Sequence, residues 1–197
     1  ISMATGEIIA ILNSDDRLEP TAIEEVTAAH RLTPSDIYYG QLIRFRQAGG
    51  KLLQKTLRPD LGKMYKTMSI FHPATCITKA TYERLGFYNE QYRIAADYDF
   101  LLRAMRAGCS FRYIDKPLCR FLTTGGISAM SCRSYAEAVK IHRAHKTGYA
   151  GYMRWMHIKC MCKILAKTII FTLLNALGLR PALDRQIARR WEKQVKL

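Results

Sequence analysis

The first residues that could support chemistry form an acidic turn. Asn13, Asp15 and Asp16 directly follow residues 7–12, a short and mostly apolar run. Such a run predicts a strand covered on both faces of an α/β sheet, and ligands in these sheets bind beyond the carboxyl ends of the strands. Adjacent carboxylates are costly there unless a cation or hydrogen-bond donors neutralise them. Asp15 and Asp16 therefore indicate a site for Mg²⁺ or Mn²⁺ and a diphosphate, with a solvated turn and helix cap as the alternative.

A second acidic cluster, Asp97 and Asp99, stands at the start of a predicted helix over residues 97–107. The helix dipole favours a carboxylate at this end. A carboxylate held there can act as a general base toward an acceptor hydroxyl. An N-cap followed by an acidic first turn is the alternative interpretation.

The elements that must position these clusters are read from apolar patterning and from Gly and Pro signals. Together they predict an α/β domain with helices beside a sheet. Strands are predicted at 7–12, 37–45, 51–57, 74–78, 111–114 and 119–123, and helices at 22–32, 79–85, 97–107, 134–145, 152–177 and 183–195.

Five segments carry a family resemblance, in this order along the chain: residues 4–16, 72–75 (His-Pro-Ala-Thr), 82–90, 96–103 (Ala-Asp-Tyr-Asp-Phe-Leu-Leu-Arg) and 121–128, which ends in Gly-Gly-Ile-Ser. In this order they resemble the family 2 glycosyltransferases of the GT-A fold, of the bacterial cell-surface polysaccharide type. The resemblance covers roughly residues 4–130. It implies a GT-A-like fold, a partial Rossmann-like mixed sheet with flanking helices.

The resemblance also implies an activity, which is the inverting transfer of a sugar from a nucleotide-sugar donor to a saccharide or lipid-linked acceptor. Asp97 falls on the position of the family's catalytic base. Asp15 and Asp16 fall on its metal and donor-binding motif, and Asn13 stands where many members have that motif's first Asp. This departure leaves the number of metal ligands open.

The resemblance assigns further residues to the same site. Gly125, Gly126 and Ser128 would form a loop near the diphosphate, or a plain turn. His72 would line the floor of the active site, or be a buried, hydrogen-bonded histidine. Asp99 would support the helix start or the acceptor pocket.

The sequence opens at Ile1, close to the first predicted strand. In the family, strands that bind the nucleotide base precede this point, so we expect a fragment with half a donor site and poor transfer. A protein from another class, a non-catalytic membrane-associated chain that keeps a remnant of the fold, is the alternative.

Composition and charge divide the chain in two. Of 197 residues, 49% are hydrophobic and 24% are charged, which indicates a globular protein. The net charge is +15, and residues 133–197 hold 14 Lys and Arg against 3 Asp and Glu. We therefore predict a partial glycosyltransferase domain over 1–132 and a basic helical tail over 133–197. No nucleic-acid-binding module is recognisable, so no nucleic-acid partner is expected despite the charge.

The basic tail predicts amphipathic helices. Lys159, Lys163 and Lys167 recur every four residues and form one stripe. The apolar run beside them is too short and too charged for a transmembrane span, so a helix lying on an anionic membrane surface fits better. We expect a peripheral protein at the cytoplasmic face of a bacterial membrane, with reduced cysteines. A helix packed on the catalytic domain is the alternative.

Overall fold

The computed structural model describes residues 1–48, 51–122 and 132–177. The strands are β1 (Ile8–Ala10), β2 (Arg17–Leu18), β3 (Ile37–Ala48), β4 (Lys51–Leu57), β5 (Thr75–Thr78) and β6 (Phe111–Leu122). The helices are α1 (Ala22–Leu32), α2 (Lys79–Leu85), α3 (Ala96–Arg106), α4 (Cys132–Ala144) and α5 (Ala150–Ala176). Single 3₁₀ turns lie at Leu61–Lys63 and His72–Ala74.

The strands form one mixed sheet with the order β1-β5-β3-β6-β2, and β4 pairs with β3. β3 is the central strand because it pairs with β4, β5 and β6. The β3–β6 pairing is parallel, and the other pairings are antiparallel. The predicted α/β class, a mixed sheet with flanking helices, is confirmed.

Side-chain alternation along β3 separates two apolar layers. Ile37 and Tyr39 face the core that contains α3, whereas Tyr38 faces the core that contains Ala22 and Val26 of α1. All three β3 residues are buried. The sheet is therefore covered by α1 on one face and by α3 on the other. In the edge strand β1, Ile9 is buried on the α3 side and Ile8 is partly buried on the α1 side.

β6 is one long strand, although two short strands separated near Pro117 were predicted. The β3–β6 register shifts on both sides of Gln41, opposite Pro117. Such an irregularity accommodates a residue that has no backbone N–H to donate. Gly40 lies at the same point, and a Cβ on it would lie 2.5 Å from Cγ of Leu118. The two strands can approach this closely only because residue 40 has no side chain.

The predicted boundary at residue 132 places α4 in the basic tail. Ile141 of α4 is fully buried in the same apolar core as α3, so α4 packs with the first unit although charge assigned it to the tail. α5 starts against α4, where Met153 packs on Ala138 and Val139. Residues 161–170, further along α5, are all exposed.

Within the part of the chain that the structure describes, no helix is both long and apolar enough to cross a membrane. The predicted helix 183–195 lies outside the described residues.

Candidate active site

Asp16 lies in the turn that joins β1 to β2, and its carboxylate is only 5% exposed. The turn is closed by the Asp16 backbone N–H, which donates to the Asn13 carbonyl at 3.1 Å. Nδ2 of Asn13 also donates to Oδ2 of Asp16 at 3.1 Å. Oδ1 of Asp16 is buried and accepts no hydrogen bond from the described residues. Asn13 and Asp15 are exposed beside it.

Burial raises the pKa of Asp16 above its ordinary value, and the neighbouring charge of Asp15 raises it further. The Asn13 amide, the backbone N–H of Leu122 and the imidazole of His72 oppose this rise. The pKa of Asp16 is raised overall, so the groups around it stabilise its negative charge less than burial destabilises it. A cation near Oδ1 would supply the missing compensation.

Asp97 stands in the first turn of α3, where its Oδ1 accepts the Tyr98 backbone N–H at 2.8 Å. Burial raises the pKa of Asp97, and the charge of Glu137 adds to the rise. His72 and backbone N–H groups lower it by a smaller amount. Asp97 therefore holds a proton more strongly than an ordinary aspartate, as a general base near neutral pH should.

His72 connects the two acidic clusters. Its imidazole lowers the pKa of Asp16 and also that of Asp97, so it lies within electrostatic range of both. The two aspartates are 81 positions apart in the chain, and the 3₁₀ turn before β5 brings His72 between them. The structure thus gathers three of the predicted site residues in one region.

A pocket beside these residues is lined by His72, Asp97 and the ring of Tyr88. The His72 and Tyr88 rings are 6.4 Å apart, centroid to centroid. Burial raises the pKa of the Tyr88 phenol, which keeps it protonated. The remaining lining residues are Ile11, Thr75, Ile77, Tyr82, Phe100 and Leu101.

Asp99 has a different environment from Asp97. Its carboxylate is 4% exposed, accepts from Nε of Arg103 at 3.1 Å and contacts Nε2 of His145 at 2.8 Å. It does not line the pocket. Of the two roles predicted for Asp99, this geometry supports the helix start and not the acceptor pocket.

Sequence reasoning missed the residues that support α3. Arg103 donates to the carbonyls of Leu85 and Phe87, both at 2.6 Å, and so fixes the segment after α2. Glu137 of α4 accepts from the backbone ahead of α3. The spacing of Asp99 and Arg103, four residues apart on one helix, was a usable signal for their ion pair. Glu137 gave no such signal because its partners are 42 to 44 positions away.

Two further predictions concern the donor side of the site: the glycine loop and the metal ion. Gly125, Gly126 and Ser128 are beyond the described residues. Across residues 1–48, 51–122 and 132–177, no group of three or more His, Cys, Asp or Glu side chains is placed to hold a metal ion. Mg²⁺ commonly takes only one or two carboxylates and completes its shell with substrate phosphates and water. The buried, unpartnered Oδ1 of Asp16 beside Asp15 fits that mode of binding.

Comparison with known proteins gives relatives of one kind, although no family model matches the chain. "PGL/p-HBAD biosynthesis glycosyltransferase" proteins of Mycobacterium bovis (strain BCG / Pasteur 1173P2) and Mycobacterium tuberculosis (strain ATCC 25177 / H37Ra) are each 29% identical over 135 residues. The matches cover 65% of this chain and 50% of each relative. The chain therefore spans half the length of the curated relatives it matches.

Solved structures of S. aureus TarS 1-349 share the fold. The complex with UDP-GlcNAc superposes with a TM-score of 0.53 at 16% identity, over 73% of this chain and 44% of TarS 1-349. The complex with UDP gives a TM-score of 0.51 at 16% identity, over 73% and 42%. The chain thus has the fold of GT-A glycosyltransferases and is similar in sequence to proteins named as glycosyltransferases.

Proposed function

We propose that this chain transfers a sugar from a nucleotide-sugar donor to a hydroxyl group of a saccharide or lipid-linked acceptor. The observation that carries the proposal is the pocket lined by both His72 and Asp97, with His72 also within electrostatic range of Asp16. A donor-side carboxylate and an acceptor-side base are the two groups that such a transfer needs. The fold shared with a UDP-GlcNAc complex supports a nucleotide-sugar donor.

Asp97 is the proposed general base. It accepts the proton of the acceptor hydroxyl while that oxygen forms a bond to the anomeric carbon, and the bond from this carbon to the diphosphate breaks. Attack from the face opposite the diphosphate inverts the anomeric centre. The raised pKa of Asp97 makes its ionised form a stronger base than an exposed aspartate.

Asp15 and Asp16 are the proposed holders of a divalent cation, Mg²⁺ or Mn²⁺. When bound, the cation would neutralise charge on the donor diphosphate. Asn13 binds Oδ2 of Asp16 through its amide, while the buried Oδ1 accepts no hydrogen bond from the described residues. Gly125, Gly126 and Ser128 are proposed to approach the same diphosphate.

The names of the curated relatives place them in PGL/p-HBAD biosynthesis. We extend this to the proposal that the present chain acts in the assembly of a bacterial cell-surface glycan. Its acceptor would then be a saccharide or a lipid-linked glycan at the cytoplasmic face of the membrane. The alternative remains a non-catalytic protein with the same fold.

Transfer is tested with the polypeptide that contains residues 1–197. UDP release from a panel of UDP-sugars is measured with Mn²⁺ and a lipid-linked acceptor, for the wild type and for Asp97→Asn. Loss of a general base should lower kcat by about 10²–10⁴-fold, while the dissociation constant for UDP stays within about twofold. Glu24→Gln, the loss of an exposed carboxylate on α1, is the matched control and should retain activity.

Two results would count against the enzyme. Binding of UDP without transfer to any acceptor would favour the non-catalytic alternative. Absence of UDP-dependent thermal stabilisation would exclude a working donor site, because a ligand that binds only the folded state must stabilise it.

A membrane contact through α5 is the second part of the proposal. Residues 161–170 are exposed, and Ile164, Leu165 and Ile169 are each about half exposed or more. Lys159, Lys163 and Lys167 follow one stripe of the same helix. Apolar side chains beside a basic stripe match the acyl boundary and the anionic headgroups of a lipid surface.

Vesicle co-sedimentation tests this contact. The wild type should bind vesicles of phosphatidylcholine with 30% phosphatidylglycerol, and the triple Lys→Gln variant at positions 159, 163 and 167 should bind at least tenfold more weakly, since each basic residue contributes about 1 kcal/mol. A variant with Lys→Gln at 55, 79 and 116, remote in sequence from α5, is the charge-matched control. Equal binding of the wild type and the α5 variant would overturn the proposal.

A further inference from the structure

Helix α3, which carries Asp97, has no capping side chain at its N-cap position. Its N-cap residue is Ala95, whose side chain cannot accept a hydrogen bond. The first backbone N–H groups of a helix have no partner within the helix, and Ser, Thr, Asp or Asn at the N-cap ordinarily supplies one. Within the first turn, Oδ1 of Asp97 itself accepts the Tyr98 backbone N–H at 2.8 Å. The N–H groups of residues 93–95, which precede the helix, need an acceptor from elsewhere in the molecule.

Glu137 of α4 supplies that acceptor. Its Oε2 accepts the backbone N–H of Ile94 at 2.8 Å and of Ala95 at 3.0 Å, and its Oε1 accepts that of Arg93 at 3.2 Å. The Glu137 side chain is 8% exposed. Three consecutive N–H groups on one buried carboxylate leave residues 93–95 little freedom to move, and the helix dipole favours a negative charge at this place.

We propose that Glu137 is a positioning residue for Asp97: it fixes the segment 93–95 and so holds the first turn of α3 against His72. The catalytic consequence rests on the proposed transferase function, whereas the positioning itself does not. Ala95 is two residues before Asp97, so a shift of the cap moves the carboxylate directly. Catalysis by a base is sensitive to displacements of the order of 1 Å.

Glu137 also belongs to the charged surroundings of Asp97. His72 reaches Asp97 from the turn before β5, Tyr88 from the segment after α2, and Glu137 from α4. The charge of Glu137 raises the pKa of Asp97, and His72 acts in the opposite direction. A shift in the pH dependence therefore reports the charge of Glu137 near Asp97, whereas amide exchange and kcat report its hydrogen bonds to residues 93–95.

Three variants test the proposal. Glu137→Ala removes all three hydrogen bonds. Glu137→Gln retains the shape but loses the charge and presents an NH₂ group to one backbone donor. Val139→Ala is the matched control, because Val139 is buried on the same helix within the cluster of Ala138 and Met153 and makes no polar contact.

Amide hydrogen exchange is the readout that does not depend on activity. Glu137→Ala should accelerate exchange at residues 93–98 by at least tenfold, whereas Val139→Ala, compared at an equal loss of thermal stability, should not. Unchanged exchange at 93–98 in Glu137→Ala would overturn the positioning role, whether or not the chain is a transferase.

Kinetics test the consequence for the proposed reaction. In Glu137→Gln, kcat should fall about tenfold or more while the donor KM changes by less than about twofold. The acid limb of kcat/KM should move to lower pH, since a negative charge near Asp97 is lost. Faster exchange combined with an unmoved acid limb and an unchanged kcat would show that Glu137 only stabilises the fold, and would overturn its link to Asp97.

Discussion

Nε2 of His145 lies 2.8 Å from Oδ1 of Asp99, and this contact joins the end of α4 to the start of α3. A carboxylate only accepts hydrogen bonds, so His145 donates from Nε2. The other oxygen of Asp99 accepts from Arg103. The carboxylate next to the candidate base is thus fully paired, and it holds two helices together.

Replacing His145 should show how much its hydrogen bond to Asp99 contributes to the stability of the fold. His145→Ala leaves Oδ1 of a buried carboxylate without its donor, so we expect the free energy of unfolding to fall by about 1–3 kcal/mol. Denaturant titration measures the change. His157→Ala, the same substitution on α5, should change stability by less than about 0.5 kcal/mol; an equal effect at both sites would contradict the assignment.

The raised pKa of Asp97 sets an expectation for the pH profile of transfer. Because a general base works only when ionised, kcat/KM should decline as the pH falls through a value above the ordinary 3.8 of aspartate. Asp115→Asn is a suitable control, since the pKa of that carboxyl is lowered by Tyr113 and Gln41, and it should leave the acid limb in place. An acid limb at or below pH 4 would contradict the assignment of Asp97.

The ionised carboxylate of Asp16 should lower the stability of the folded protein when no cation is bound to it. The folded protein raises its pKa, so the ionised form costs stability as the pH rises through that pKa, and the protonated form does not. Asp16→Asn should therefore raise the melting temperature at pH 7.5 without a cation and abolish any rise caused by Mn²⁺. Differential scanning fluorimetry with and without Mn²⁺ measures both effects.

The control for Asp16 is Asp60→Asn, where an exposed carboxylate pairs with Lys63. This variant should keep the response to Mn²⁺. A response of the Asp16→Asn variant equal to that of the wild type would remove Asp16 from the proposed metal site.

Gly40 should tolerate no side chain. A Cβ there would approach Cγ of Leu118 to 2.5 Å and the carbonyl oxygen of Lys116 to 2.8 Å. Gly40→Ala should lower the free energy of unfolding by about 1–3 kcal/mol through overpacking. Gly151→Ala, where a Cβ meets nothing within 4 Å in α5, should stabilise by about 0.5–1 kcal/mol. Equal denaturation midpoints for the two variants would contradict the close approach of β3 and β6.

His142 makes the protein sensitive to mild acid. Burial lowers its pKa from 6.5 to about 4. Between these two pH values His142 is therefore protonated in the unfolded chain but neutral in the folded chain. Its contribution to stability is complete above pH 6.5 and is lost as the pH falls toward 4, by about 2 kcal/mol between pH 7.5 and 5. His142→Gln should show a correspondingly flatter stability curve over this range. Parallel curves for the two proteins would mean that the pKa of His142 is the same in the folded and the unfolded protein, which would contradict the lowered pKa.

Local patterning in the sequence was sufficient for most elements and for the acidic clusters. The apolar run before Asn13 and the acidic start of α3 each carry their own signal within a few residues. β2 was not predicted because a strand of two residues, Arg17–Leu18, is too short to show an alternating pattern of apolar and polar residues. It is recognised only by its pairing with β6.

The partners of the site could not be read from the sequence in the same way. Charge counting assigned residues 133–144 to the tail, but burial of Ile141 and hydrogen bonding by Glu137 decide their position. These contacts link residues more than forty positions apart. Only the folded chain brings Glu137 to the backbone before α3, and no spacing rule relates the two.

Helix α4 has two neighbours, and this gives it a mechanical role. On one side of α4, Glu137 accepts hydrogen bonds from the backbone ahead of Asp97. On the other side, Val139 packs against Met153 of α5. A rigid helix transmits displacement along its whole length. A displacement of α5 relative to α4 would therefore reach the backbone ahead of Asp97 through the hydrogen bonds of Glu137.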